Sequence, residues 1–252
     1  MRARQRHLNK SLRETACAFD SRLLSGFSDG NEVDTWTDLS ANGRNATQST
    51  SSKRPLYKTA IQGGNPVLRF DGSNDALATG TFASTAEITV VQIIKANAWT
   101  SLPTQNRFSG GHGFGVSSLL TTGIDFFTIA QSTALYWQVN DLYGFGNGYN
   151  NTDPKVAGPS SSGSDFRIIS TVFWSSLSRI YANGVRVSTR AETTASISAF
   201  TRELTIGAFI NATNEFWLGD IGAVIYFQSN IGEPMRARIE RSNALAFKIA
   251  CS

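Results

Sequence analysis

Catalytic equipment is scarce in this sequence. Its 252 residues include only two histidines, His7 and His112, and two cysteines, Cys17 and Cys251. So few imidazoles and thiols leave general acid–base work poorly supplied and exclude the clustered His/Cys sets that hold zinc. No Gly-x-Ser-x-Gly elbow joins a strand to a helix, so a serine nucleophile of that kind is absent. The stretch Gly111-His-Gly113-Phe-Gly115 lacks the Lys-Ser/Thr ending and following helix of a phosphate loop. Long apolar runs are missing as well. Nothing approaches the roughly 18 apolar residues of a membrane span, which argues against membrane insertion. The polar HLNKSLRETA after the basic start lacks the apolar core of a signal peptide, so none is recognisable. The expected location is a virion released by lysis, or an extracellular or cell-surface site reached after removal of a leader.

Charge is also sparse, at 17% of residues, and unevenly placed. The first 14 residues carry Arg2, Arg4, Arg6, Lys10 and Arg13 against Glu14 alone, and the rest is close to neutral. The body of the chain therefore offers no large field for steering polyanions. The basic stretch has the chemistry to touch nucleic acid, an acidic protein surface or an anionic membrane. A solvated tail is the plain alternative, and an arm packed into an assembly is the reading favoured here. The cysteines lie near opposite ends of the chain. Sandwich termini often meet, so a disulfide clamp and two unpaired thiols both stay open.

What is plentiful is phenylalanine (16), glycine (22) and small polar residues, with 40% hydrophobic content. Many short strands joined by polar turns have this composition, and a chain of this length builds one such domain with an ample core. No internal repeat or dividing linker is present, so residues 1–16 read as the arm and 17–252 as one β-sandwich domain. The segment NPVLRFDG (65–72) reads as a strand ending in a turn, and DALATG (75–80) as another. The β-branched run EITVVQIIKA (87–96) suits a strand central to a sheet or buried on both faces. FRIISTVFW and LSRIYANGVRVST form a hairpin, with Asn183-Gly184 suited to a type I′ turn. Residues 144–165 are the longest loop-like stretch. The end alone reads as helix: EPMRARIERSNALAFKIA (233–250) places Met235, Ile239, Ala246 and Ile249 on one stripe, with Arg236, Arg238 and Arg241 largely elsewhere. Pro234 falls in the first turn, where its missing N–H costs nothing. The expectation is about ten to thirteen strands plus one packing helix.

Several segments in this order resemble the laminin G-like branch of the concanavalin A-like jelly-roll superfamily. They are TWTDLSANGRNATQ (35–48), KRPLYKT (53–59), VLRFDGSNDAL (67–77), RIYANGVRVST, LTIGAF, WLGDIGAVIYF and the terminal helix. The resemblance spans roughly residues 18–250 and implies an all-β fold, an antiparallel two-sheet sandwich with one C-terminal helix. Its residues have structural jobs: Trp36 and Phe70 are spaced as core aromatics, and Asp71-Gly72 and Asn74-Asp75 as turn formers. Such residues specify a scaffold, and a fold does not name a function. The resemblance implies binding of glycans or proteins, sometimes through Ca²⁺, and in some branches cleavage of polysaccharide. The glucanase branch carries Glu-x-Asp-x-x-Glu, one acid acting as nucleophile and another as acid/base. The nearest match, Glu32-Val-Asp34-Thr-Trp-Thr37, lacks the third acid, so the chain is read as non-enzymatic.

Calcium needs only carboxylates and carbonyls in loops. Asp71, Asp75, Asp153 and Asp220 are the candidates, with turn capping as the competing role for each; no other cofactor is implied. Glycan recognition wants aromatic faces beside amides and carboxylates. LYGFGNGYNNTDP (142–154) supplies Tyr143, Phe145, Asn147, Tyr149, Asn150 and Asp153, with Trp99 and Trp137 in secondary positions. The same segment suits docking of a neighbouring subunit. Two functional readings follow. One is a non-catalytic virion component (a phage-type decoration, fibre or minor capsid protein), oligomeric and contacting other subunits of an assembly. The other is a lectin-like module at a cell surface or on extracellular polysaccharide.

Overall fold

The run EITVVQIIKA lies at the centre of the molecule, as its two-sided apolar character predicts. The computed structural model describes residues 15–85, 87–96, 165–174, 177–186, 201–208 and 216–252, together with the backbone of short strands between Arg107 and Ala157. The first strands among them are β1 (Cys17–Asp20), β2 (Thr35–Trp36), β3 (Ala46–Thr47), β4 (Leu56–Gln62), β5 (Asn65–Asp71), β6 (Leu77–Ala78), β7 (Phe82–Ala83) and β8 (Ile88–Ala96). Then come β9 (Arg107–Phe108), β10 (Gly110–Gly113), β11 (Gly123–Asp125), β12 (Thr128–Ala130), β13 (Tyr136–Gln138) and β14 (Lys155–Ala157). The last are β15 (Arg167–Trp174), β16 (Leu177–Ala182), β17 (Val185–Arg186), β18 (Thr201–Arg202), β19 (Leu204–Ile206), β20 (Leu218–Phe227) and the helix α1 (Gly232–Phe247). More strands form than periodicity predicts. Pieces such as Thr35–Trp36 and Leu77–Ala78 are two residues long, too short for alternation to register in sequence.

One antiparallel sheet runs β17-β16-β15-β8-β20-β5-β4, with β1 also paired to β20. A second runs β11-β10-β19-β6-β3-β2, and smaller sheets β14-β13-β12-β9 and β18-β7 complete the described strands. Every residue of β8 except Lys95 is buried, because the second sheet covers one face and α1 the other. Val90 and Ile94 join Trp36, Phe70 and Trp217 in the core between sheets, while Val91 and Ile93 meet Ile239 and Phe247 beneath the helix. Trp36 and Phe70 are fully buried, as their spacing predicts. Each large apolar side chain so placed contributes about 1.5–3 kcal/mol. This is an all-β antiparallel sandwich with one C-terminal helix.

Two local devices fix the layers. Strand β20 pairs with β5 through Leu218–Ile221 and with β1 through Ala223–Tyr226, and a bulge interrupts its β8 ladder between Ile221 and Ala223. Gly222 sits in that bulge, and a Cβ there would lie 2.8 Å from the Phe247 ring. The Ser21 hydroxyl stands 2.7 Å from the Pro66 carbonyl and 2.8 Å from that of Gly222, so it stitches the two partner strands across the gap. The hairpin turn has positive φ at both Asn183 (50°) and Gly184 (90°), as a type I′ turn requires.

The helix ends earlier than the pattern predicts. Lys248 takes the left-handed conformation, and the Asn65 and Gln62 side-chain amides donate to the Ala246 and Phe247 carbonyls at 2.7 and 2.9 Å. Arg236, which the pattern leaves off the apolar stripe, is nonetheless buried, 1% exposed. The cysteines form no disulfide. Cys17 is buried between the sheets, whereas Cys251 packs beside the helix layer, so a clamp between the ends does not exist.

Candidate functional site

The turn that ends β5 organises its own carboxylates. Asp71 Oδ1 accepts the backbone N–H groups of Ser73 and Asn74 at 2.8 and 3.1 Å, while Asp75 Oδ2 accepts that of Asp71 at 2.9 Å. Short side chains reaching backbone two to four residues away are what stabilise such turns. Asp75 is 5% exposed. Burial first, then the charge of Asp71, push its carboxyl up to about 7 against the donation from the Asp71 N–H, with Glu32 adding a smaller push. A carboxyl that keeps its proton towards neutral pH is a poor ligand for a cation. Among the described residues no group of three or more His, Cys, Asp or Glu side chains converges on one point.

Asp220 does not belong with them. Its side chain is fully buried and both oxygens are engaged by Arg69, at 2.7 and 3.0 Å. That bidentate pair joins β5 to β20 and takes Asp220 out of the calcium set. Asp71 and Asp75 act as turn caps, and Asp153 lies outside the described residues.

A second charged cluster escapes sequence reading. Arg236 pairs with Glu240 and Glu233 on its own helix and stacks 3.4 Å above the centroid of the Tyr181 ring. Burial opposes ionisation of Glu233, but the hydrogen bond and charge of Arg236 outweigh it and hold the carboxyl below its ordinary value. The i, i+3 and i, i+4 spacing of Glu233, Arg236 and Glu240 is the one sequence signal that could have found this cluster. It ties α1 to β16.

A groove of about 410 Å³ opens between β1, β20 and α1. Leu23, Leu39, Ile225, Phe227 and Ile239 supply its apolar lining, and Asp20 and Arg22 pair at its edge. Its volume falls within the size range of ligand pockets.

The aromatic and amide residues singled out for glycan contact, Tyr143, Phe145, Asn147, Tyr149, Asn150 and Asp153, lie outside the described residues. So do Trp99 and the basic Arg2, Arg4, Arg6, Lys10 and Arg13. The strands flanking the glycan segment are described: β13 and β14 pair antiparallel with Gln138 opposite Lys155. Trp137 stands between Ile129 and Val156 in the same sheet. His112 sits in β10, opposite Ile124 on one side and Leu204 on the other, so its backbone belongs to a ladder and not to a loop.

No protein-family model matches the chain, and no curated protein is significantly similar to it. Solved structures do match its fold. A Trypanosoma rangeli sialidase in complex with 2,3-difluorosialic acid aligns over 91% of this chain with a TM-score of 0.59 and 11% identity. The binding domain of Paraclostridial Mosquitocidal Protein 1 aligns over 92% with a TM-score of 0.55 and 14% identity. The botulinum neurotoxin serotype D binding domain aligns over 93% with a TM-score of 0.55 and 10% identity. The chain spans 33% of the sialidase and 53% and 52% of the two toxin domains. Identities this low establish the fold alone, an antiparallel β-sandwich of the kind also found in those proteins.

Proposed function

We propose that this chain is a non-catalytic recognition domain on a concanavalin A-like, laminin G-like jelly roll, and that its ligand is a glycan. The observation that carries the reading is the likeness, over nine-tenths of the chain, to a sialidase holding a sialic acid analogue and to two toxin binding domains. The sequence supports the same reading with the aromatic and amide residues of 142–154. In this reading Tyr143, Phe145 and Tyr149 stack on the apolar faces of sugar rings, while Asn147, Asn150 and Asp153 hydrogen-bond to hydroxyls. Binding is reversible and no bond is made or broken. A glycan array carrying sialylated, neutral and β-glucan oligosaccharides tests it. Retention of one glycan class, lost in Tyr143→Ala and Tyr149→Ala, is the expected result. An empty array contradicts the reading.

A second reading rests on the five cations against one acid in residues 1–14. A basic segment ahead of a near-neutral sandwich suits a virion component whose arm reaches a neighbouring subunit. Solution mass at micromolar concentration decides it: an oligomer dissociated by charge reversal at Arg4 and Arg6 supports the reading, and a strict monomer removes it.

A further inference from the structure

A cavity of about 100 Å³ lies where the start of α1 meets the β15–β16 hairpin, lined by Val172, Arg179, Tyr181, Asn230, Glu233 and Arg236. Arg236 is buried, yet its Nε–H has no hydrogen-bond partner among the described residues. Native proteins rarely leave a buried donor so, because the cost of desolvating it is then not offset.

The guanidinium geometry says which way that N–H points. Nε and Nη2 form one edge of the group, the edge that Arg69 turns to Asp220. In Arg236, Glu233 takes Nη2 and Glu240 takes Nη1. The open N–H therefore lies on the Glu233 side, and Glu233 lines the cavity whereas Glu240 does not. Glu233 also accepts from the Tyr181 side chain. A carboxylate has about four lone-pair sites, so with its side chain 61% exposed it keeps acceptor capacity.

A donor and an acceptor thus stand side by side at the cavity, and that pairing narrows the occupant. An anion taking the Nε–H would set its oxygens against those of Glu233, and a cation would face Arg179 and Arg236. A peptide group fits poorly, since its trans geometry points N–H and C=O in opposite directions. A hydroxyl both donates and accepts, so two on adjacent carbons can meet both groups. The volume, well below that of a whole-ligand pocket, admits only the end of a larger molecule.

We propose that this cavity binds a vicinal diol of a sugar, one hydroxyl accepting from Arg236 Nε–H and its neighbour donating to Glu233. The site does not involve residues 142–154 and stands whether or not that segment binds glycan.

The probe is propylene glycol, the smallest stable vicinal diol with an apolar end after ethylene glycol, titrated into the isotope-labelled full chain. The Arg236 Nε–H cross-peak, identified by its loss in Arg236→Lys, is followed by NMR. The control is trimethylene glycol, an isomer with its hydroxyls one carbon further apart. Propylene glycol and methyl α-glucoside should move the cross-peak saturably. Trimethylene glycol should need about tenfold more, the effect of losing one hydrogen bond to a charged group. Glu233→Ala, at an exposed position, should weaken propylene glycol about tenfold while the amide spectrum of the strands stays in place. A cross-peak that neither vicinal diol moves would leave the cavity to water and overturn the proposal. Equal responses to the two isomers overturn it, as does a response that Glu233→Ala leaves unchanged. A stronger response to acetamide would assign the cavity to a primary amide, with the same consequence. Loss of the response in Tyr143→Ala with Tyr149→Ala would move the diol to residues 142–154 and overturn it too.

Discussion

Replacing Asp75 with asparagine should stabilise the protein at neutral pH and do nothing at acid pH. Asparagine keeps an oxygen for the Asp71 N–H, now 2.9 Å away, but cannot ionise. The sign follows from linkage. An acid whose carboxyl sits at about 7 when folded, against 3.8 as its ordinary value, holds its proton more tightly in the folded state. Its contribution to stability is thus fully present below about pH 4, falls as pH rises, and levels off above about 7. At about 1.4 kcal/mol per pH unit, that gap sets a ceiling of about 4 kcal/mol. Water screens the charge of exposed Asp71, the smaller of the two main causes, so the expected difference lies below that ceiling, at about 2–4 kcal/mol. Urea unfolding of wild type and Asp75→Asn across this range isolates Asp75 and its coupling to Asp71, because titrations of groups distant from it cancel in the difference. The two curves should coincide near pH 4 and separate steadily towards pH 7, with the variant more stable. A difference that does not change with pH, or one favouring the wild type at pH 8, would refute the reasoning.

Arg69→Ala should cost about 3 kcal/mol in urea unfolding, because it strands the fully buried carboxylate of Asp220. Arg69→Leu combined with Asp220→Leu should recover most of that, and equal losses in the single and double variants would show that the pair is not coupled. A maleimide should label Cys251 in the native protein and Cys17 only after unfolding, with no mobility change on reduction. Native labelling of Cys17 would contradict the layering of the core. Incubation with sialyllactose or β-glucan should release no free sugar, and any turnover that scales with protein purity would make the chain an enzyme.

The scaffold was legible in sequence wherever local chemistry decides structure. β-Branching placed β8, positive φ at Asn183-Gly184 placed the hairpin turn, and the helical stripe placed α1 to within a few residues. What escaped depends on distant partners. Arg69 and Asp220 lie 151 residues apart, so an aspartate offered to calcium in the sequence turns out to be half of a buried ion pair. Arg236 falls off the apolar stripe in the sequence, yet it is buried, because two glutamates and the Tyr181 ring make burial tolerable. The groove has no sequence signature, since β1, β20 and α1 meet only through tertiary packing. The residues singled out for ligand contact are of another kind. Tyr143, Tyr149 and their neighbours carry sugar-binding chemistry in the sequence itself, and binding measurements test it.

The central claim is recognition of a glycan through residues 142–154. Its most direct test is calorimetric titration of the glycan retained on the array, with wild type and with Tyr143→Ala combined with Tyr149→Ala. Loss of two stacking faces should weaken binding at least about tenfold while leaving the melting temperature unchanged. Undiminished affinity in the double variant would place the ligand elsewhere and contradict the claim.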